Sequence, residues 1–248
     1  MPAGRRAKLS PMGLGFGTKN AVQGARKEVT ALESSQHSFD RTRRQVAQLA
    51  TFALVAVGYF VVVIVALHFL RPDRDPLTQT TSTYAVGRYA FLMTSVFISM
   101  SLASLALATG LHRGLPEPAR SRIGLGFLGI WVVALLVAAT FPIDVEGAAQ
   151  TVAGTIHFTN GRIAFLSATL ATILVSRRVR HDEKWRPIHR LAMTLSLIML
   201  AEFAVFVVFI VSGSGYPGLG QRIFLATFVA WFALIATRLR AVASESIG

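Results

Sequence analysis

The sequence predicts an all-α integral membrane protein: a six-helix bundle with both termini cytoplasmic and a disordered basic N-terminal tail. Three observations carry this expectation. Six runs of roughly 20 apolar residues recur along the chain, each long enough to cross a ~30 Å hydrocarbon core as helix. Of the 248 residues, 53% are apolar and only 15% charged, where soluble domains hold about 25% charged. Finally, the net charge of +13 gathers on alternate segments between the apolar runs.

The spans are expected at about 46–69, 89–111, 123–142, 155–175, 190–211 and 221–238. Residues 1–44 precede them and hold nine of the 25 Lys and Arg, with glycines and no sustained periodicity. They read as a disordered cytoplasmic tail ahead of a transmembrane domain over 45–240 and a short tail over 241–248. Arg5-Arg6 could open a twin-arginine export signal, but Lys8, Pro11 and glycines at 13, 15 and 17 interrupt the apolar run it would need.

Counted over alternate segments, 20 of the 25 Lys and Arg fall on the side of the two termini, and the positive-inside rule makes that side cytoplasmic in an inner membrane. A pI near 11.4 would suit a nucleic-acid binder only if the basic residues shared a soluble surface. Here they flank apolar runs, so the expected partners are membrane lipids and not nucleic acid. The basic stretch 177–190 reads the same way, as a topology determinant with Trp185 at the interface. The absence of cysteine excludes disulfides, Cys-bound zinc, iron–sulfur clusters and thiolate catalysis.

Ionisable residues within the bilayer are expensive and mark functional candidates. At about 1.5 Å per residue from the cytoplasmic arginines, Arg162 lies roughly 22 Å and Glu202 roughly 18 Å from the inner boundary. His68, Arg88, Asp144, His157 and Arg222 stand near the outer boundary. Glu202 is the expected partner of Arg162, and Asp144 that of Arg222 or His157. Either these are interhelical ion pairs that fix the bundle, or they line an outward-facing polar pocket. Three arginines, 88, 162 and 222, outnumber the carboxylates, and guanidinium surplus favours an anionic guest such as a lipid headgroup or small anion. The ligand-binding candidates are thus Arg88, Asp144, His157, Arg162, Glu202 and Arg222.

A hydrolase is the competing class, with His157 as base or ligand and Asp144 as its partner. A metal version would draw on His68, Asp144, Glu146 and His157, although no tight motif such as HExxH occurs within a span. A b-type haem would need His68 and His157 to face each other; no cofactor is expected. A third class is a non-catalytic structural subunit. His157 and Arg162 are about 140° apart around one helix, so either span 4 serves two sides of a cavity or only one of the pair faces it. The turns Gly87-Arg88, Gly161-Arg162 and Gln221-Arg222 also resemble one another, leaving open a threefold repeat of hairpins or a coincidence in a restricted alphabet.

One combination of residues is familiar. Asp75-Pro76, Ser82-Thr83-Tyr84-Ala85-Val86-Gly87, Phe141-Pro142-Ile143-Asp144, His157 with Phe165 eight residues on, Trp185 and Gln221-Arg222 together resemble the multi-span bacterial and archaeal family called domain of unknown function 998. The resemblance covers about residues 50–240 and implies six spans with no assigned reaction. Thr83 departs from the pattern, standing where an acidic residue is usual, which leaves less negative charge at the rim of the expected pocket.

Overall fold

The computed structural model describes residues 16–145, 147–213 and 215–245. Arg5, Arg6 and Glu146 therefore lie outside the described residues. Six helices are described: α1 (Phe16–Leu70), α2 (Ala90–Gly114), α3 (Arg122–Thr140), α4 (Val152–Val179), α5 (Arg186–Ser212) and α6 (Pro217–Ser244). All six are long and apolar enough to cross a membrane. The chain falls into two units, Met1–Thr42 and Arg43–Gly248. Over residues 16–44 the structure differs from the expectation of disorder, since α1 already begins at Phe16. The reason is local. No proline follows Pro11 before the span, and Ala, Lys, Glu, Gln and Arg are frequent, so propensity favours helix although the side chains over 32–42 are exposed.

The ends of the spans follow from capping chemistry. Ser121 accepts a hydrogen bond from the Gly124 amide at the start of α3, and Thr151 accepts one from Gly154 at the start of α4. Helices α5 and α6 each carry a proline in the first turn, Pro187 and Pro217, where its missing N–H is no loss. Gly213, with φ of 61°, closes α5 in the left-handed conformation.

From α2 onward each helix packs on its successor in the chain, and α6 also touches α2. Helix α1 joins α2 through Tyr59 Oη to Ser95 Oγ (2.8 Å) and Ser99 Oγ to the Ala56 carbonyl (3.0 Å). Helix α5 is the least enclosed, with only Ala192, Ser196 and Met199 buried. Since lipid is as apolar as leucine, packing and buried hydrogen bonds must hold the bundle. Trp131 Nε1 donates to Ser104 Oγ (3.1 Å) and Trp231 Nε1 to Ser176 Oγ (2.8 Å), while Ser176 also meets Ser196 (3.0 Å). These small hydroxyls let two large indoles sit fully inside without an orphaned donor. Ser176→Ala should therefore strand the Trp231 N–H and destabilise the protein by about 1–3 kcal/mol. Thermal unfolding in detergent reads this as a lowered midpoint, which Ser176→Thr should restore in part.

Candidate functional site

At the face opposite the chain termini of the second unit, residues 71–89 form a strap between α1 and α2, and two arginines hold it down. Arg71, only 4% exposed, donates from Nε and Nη2 to both oxygens of Asp73 (2.8 Å each) and from Nη1 to the carbonyls of Val86 (2.9 Å) and Arg88 (2.8 Å). Those carbonyls bracket the turn where Gly87 and Tyr89 take φ of 80° and 64°. The second anchor is Arg222 near the start of α6. It donates to the carbonyls of Pro76 (2.8 Å), Gln79 (2.7 Å) and Gly218 (3.0 Å), to Tyr84 Oη (3.2 Å) and to His68 Nε2 (2.8 Å). Because His68 Nδ1 meets the Ile64 carbonyl at 2.6 Å, that nitrogen carries the proton and Nε2 is free to accept. The strap lies directly on α6: a Cβ added at Gly218 would strike the carbonyls of Pro76, Leu77 and Gln79.

Beneath the strap is a small, partly open cavity of about 50 Å³. Phe60, Phe97, Trp131 and Phe165 give it apolar walls, and its polar groups come from Thr81, Ser82, His157, Asn160 and Gln221. Three of the polar side chains share one arrangement. His157 Nδ1 meets the Phe141 carbonyl (2.7 Å), Asn160 Nδ2 donates to the Ala134 carbonyl (2.8 Å), and Gln221 Oε1 accepts from the Thr81 amide (2.6 Å) and hydroxyl (2.9 Å). A carbonyl only accepts and an amide N–H only donates, so these contacts fix the His tautomer and both amide orientations. Among the described residues, the other end of each side chain then makes no hydrogen bond: His157 Nε2, Asn160 Oδ1 and Gln221 Nε2.

The expected cluster of charges is arranged differently. Arg88 and Arg162 are exposed and lie over the rings of Tyr89 (4.7 Å) and Phe158 (4.3 Å). Neither converges with Arg222, and the three Arg turns are not equivalent. The 140° between His157 and Arg162 resolves with His157 buried inside and Arg162 outside. Glu202 consequently meets Thr227 Oγ1 on α6 (2.9 Å) instead of Arg162. Asp144 pairs with neither Arg222 nor His157; it accepts from the Thr151 amide (3.1 Å) and hydroxyl (2.6 Å) at the start of α4, where a carboxylate suits the helix dipole. His68 has both ring nitrogens engaged, and no group of three His, Asp or Glu that could hold a metal occurs among the described residues. Of the candidates, His157 alone lines the cavity.

Asn160, Thr81 and Arg71 are the residues that sequence reasoning passed over. For Asn160 the signal was present: it lies three residues from His157, hence on the same helix face, and an amide within a span needs a reason. Arg71 looked like an ordinary loop charge.

The Arg71 hydrogen bonds pull the Asp73 carboxyl from its ordinary 3.8 down to about 2. The folded chain thus binds this proton at lower pH than the unfolded chain, so the ion pair stabilises fully above pH 3.8 and fades as pH falls through about 2. Wild-type thermal midpoints should drop more steeply than those of Asp73→Asn between about pH 4 and pH 2. Arg222→Lys should loosen the strap, because an ammonium cannot reproduce a fork that reaches a histidine, a phenol and three carbonyls. Limited proteolysis within 71–89 should then run at least about tenfold faster, a loss of roughly 1.4 kcal/mol in closure.

No curated protein and no solved structure matches the chain. The family described as protein of unknown function (DUF998) matches residues 54–238, well over half of the 248. The matched segment contains the strap, both anchoring arginines and the whole cavity, and the chain belongs to this family.

Proposed function

We propose that this polytopic membrane protein binds a small amphiphile whose uncharged polar head enters the cavity beneath the strap. The observation that carries the reading is the shared arrangement of His157, Asn160 and Gln221, each held by backbone at one end and unused at the other. Together they offer two acceptors and an N–H donor, already oriented, within aromatic walls. Such a site has little reorganisation to undergo on binding. A hydroxylated or amide head with a short apolar body matches this donor and acceptor set. An anion does not, since no guanidinium lines the cavity and two of the three arginines expected to hold one face outward. The lipid or anion expected from the sequence therefore gives way to a neutral guest.

The positive-inside count assigns the strap face to the outer side of the inner membrane, so the guest would arrive from the outer leaflet or from outside the cell. A catalytic version would use the same atoms. His157 Nε2 is a free base with its ring oriented through Nδ1, and the Phe141 carbonyl takes the orienting place expected of Asp144.

Gly161 supplies the test. It lines the cavity, yet a Cβ added there meets no atom within 4 Å. Gly161→Leu should fill the cavity and, by replacing a mid-helix glycine, gain up to about 1 kcal/mol of stability. Protein purified from membranes in mild detergent and denatured for mass spectrometry should release a stoichiometric small molecule from wild type and none from Gly161→Leu. Identical extracts from the two would refute the binding site, and a variant that is less stable would show that the space is not there to fill.

A further inference from the structure

On the terminal face the turn between α2 and α3 and the end of α4 come together around a groove. Arg120 and Arg122 stand on one side and Arg177, Arg178 and Arg180 on the other, with His181 beside them. Glu117 is the one carboxylate in the lining, so five guanidiniums face a single negative charge. Its carboxyl is held below the ordinary range chiefly by the hydrogen bond from Arg122, and it takes bonds from Arg120 (3.1 Å) and Arg122 (3.0 Å). Arg177 and Arg178 make no hydrogen bond or ion pair within the described residues.

The convergence is built into the packing. A Cβ on Gly124 would sit 3.1 Å from Leu174 Cβ and 3.1 Å from Val175 Cγ2, so glycine lets the first turn of α3 lie close to the last turns of α4, where any larger residue would make α4 give by a few tenths of an ångström. That approach brings arginines from two chain segments to one concavity of about 770 Å³, open to solvent. A topology signal requires positive charge on this side of the membrane; it does not require a groove, or close helix packing that points the charges into one. The wall toward the span is apolar, formed by Leu174 and Ile123, the latter 70% exposed. The groove thus sits where hydrocarbon meets water.

We infer that this groove binds a phosphate group, which several planar guanidinium forks can grip through its oxygens. The apolar wall favours the phosphate of an anionic phospholipid whose chains run along Ile123 and Leu174. A soluble diphosphate carries the same chemistry, and the two sources separate by experiment. The site is independent of the cavity beneath the strap.

The intact protein in uncharged maltoside detergent is offered dioleoyl phosphatidic acid or dioleoyl phosphatidylcholine, and retained lipid is measured by native mass spectrometry. In parallel, inorganic diphosphate is titrated calorimetrically. Wild type should retain phosphatidic acid over phosphatidylcholine, and Arg177→Gln/Arg178→Gln should weaken that retention by at least about tenfold. Arg190→Gln/Arg240→Gln removes the same charge outside the groove and should leave retention within about twofold. Both variants are first checked for wild-type thermal midpoints. Diphosphate binding with the same dependence on Arg177 and Arg178, without lipid retention, would keep the phosphate site and make its guest soluble. Equal weakening by the two double variants, or binding of neither probe, would overturn it.

Discussion

A guanidinium at the edge of a hydrocarbon layer stays ionised and must be surrounded by acceptors, and at the strap face those acceptors are backbone carbonyls. Arg222 gathers three of them together with His68 and Tyr84, and Arg71 gathers two more with Asp73. All of these carbonyls but that of Gly218, in the first turn of α6, belong to a strap with little regular structure beyond a five-residue 3-10 turn at Thr81–Ala85, so they have few partners of their own. Each side satisfies the other. Without the arginines, the strap's carbonyls would have to find water or detach; without the strap, Arg71 would lose its acceptors and Arg222 would keep only His68 and the Gly218 carbonyl. The cavity depends on this exchange, because Thr81 and Ser82, which cover it, are strap residues.

The same logic of divided duty governs the polar groups inside. A histidine or amide buried in a span normally spends all its hydrogen-bonding capacity on neighbouring helices. His157 and Asn160 spend half of theirs on α3 and its end, and Gln221 spends half on the strap. That half fixes orientation, and the remainder faces space. A site intended only to pack helices would gain by closing that space with the methyl groups that Gly161 lacks.

How far the sequence could be read follows from the range of the forces involved. Span number and approximate limits depend on local hydropathy, so the apolar runs were enough to reach six helices. Pairing of charges depends on which way each side chain faces, and depth alone does not supply that. Arg162 and Glu202 come out at similar depths by helix rise alone yet face different neighbours, so the expected pair does not form. Asp144 illustrates a second limit. Its role is set by Thr151, seven residues ahead, and helix capping competes successfully with the more distant His157. The carbonyl groups that claim Arg71 and Arg222 leave no trace in the side-chain alphabet, and for that reason a strap held by main-chain acceptors looked like a surplus of positive charge.

That surplus takes on a different meaning when the two faces are compared. Translocated segments rarely keep basic residues, because lysine and arginine resist transfer to the outer side. On the positive-inside reading of the sequence, the first loop retains Arg71 and α6 opens with Arg222 on that side; both are tied to backbone in several directions. The terminal face carries most of the basic residues, and on the same reading a guanidinium there can remain without a protein partner among the described residues. Arg177 and Arg178 remain so, next to a helix that approaches closely enough to place Arg120 and Arg122 opposite them. Structural arginine is thus expected where basic residues are scarce and wrapped in carbonyls, and anion-accepting arginine where they are abundant and uncompensated. This inverts the expectation from the sequence, in which Arg88, Arg162 and Arg222 were the ones assigned to a ligand.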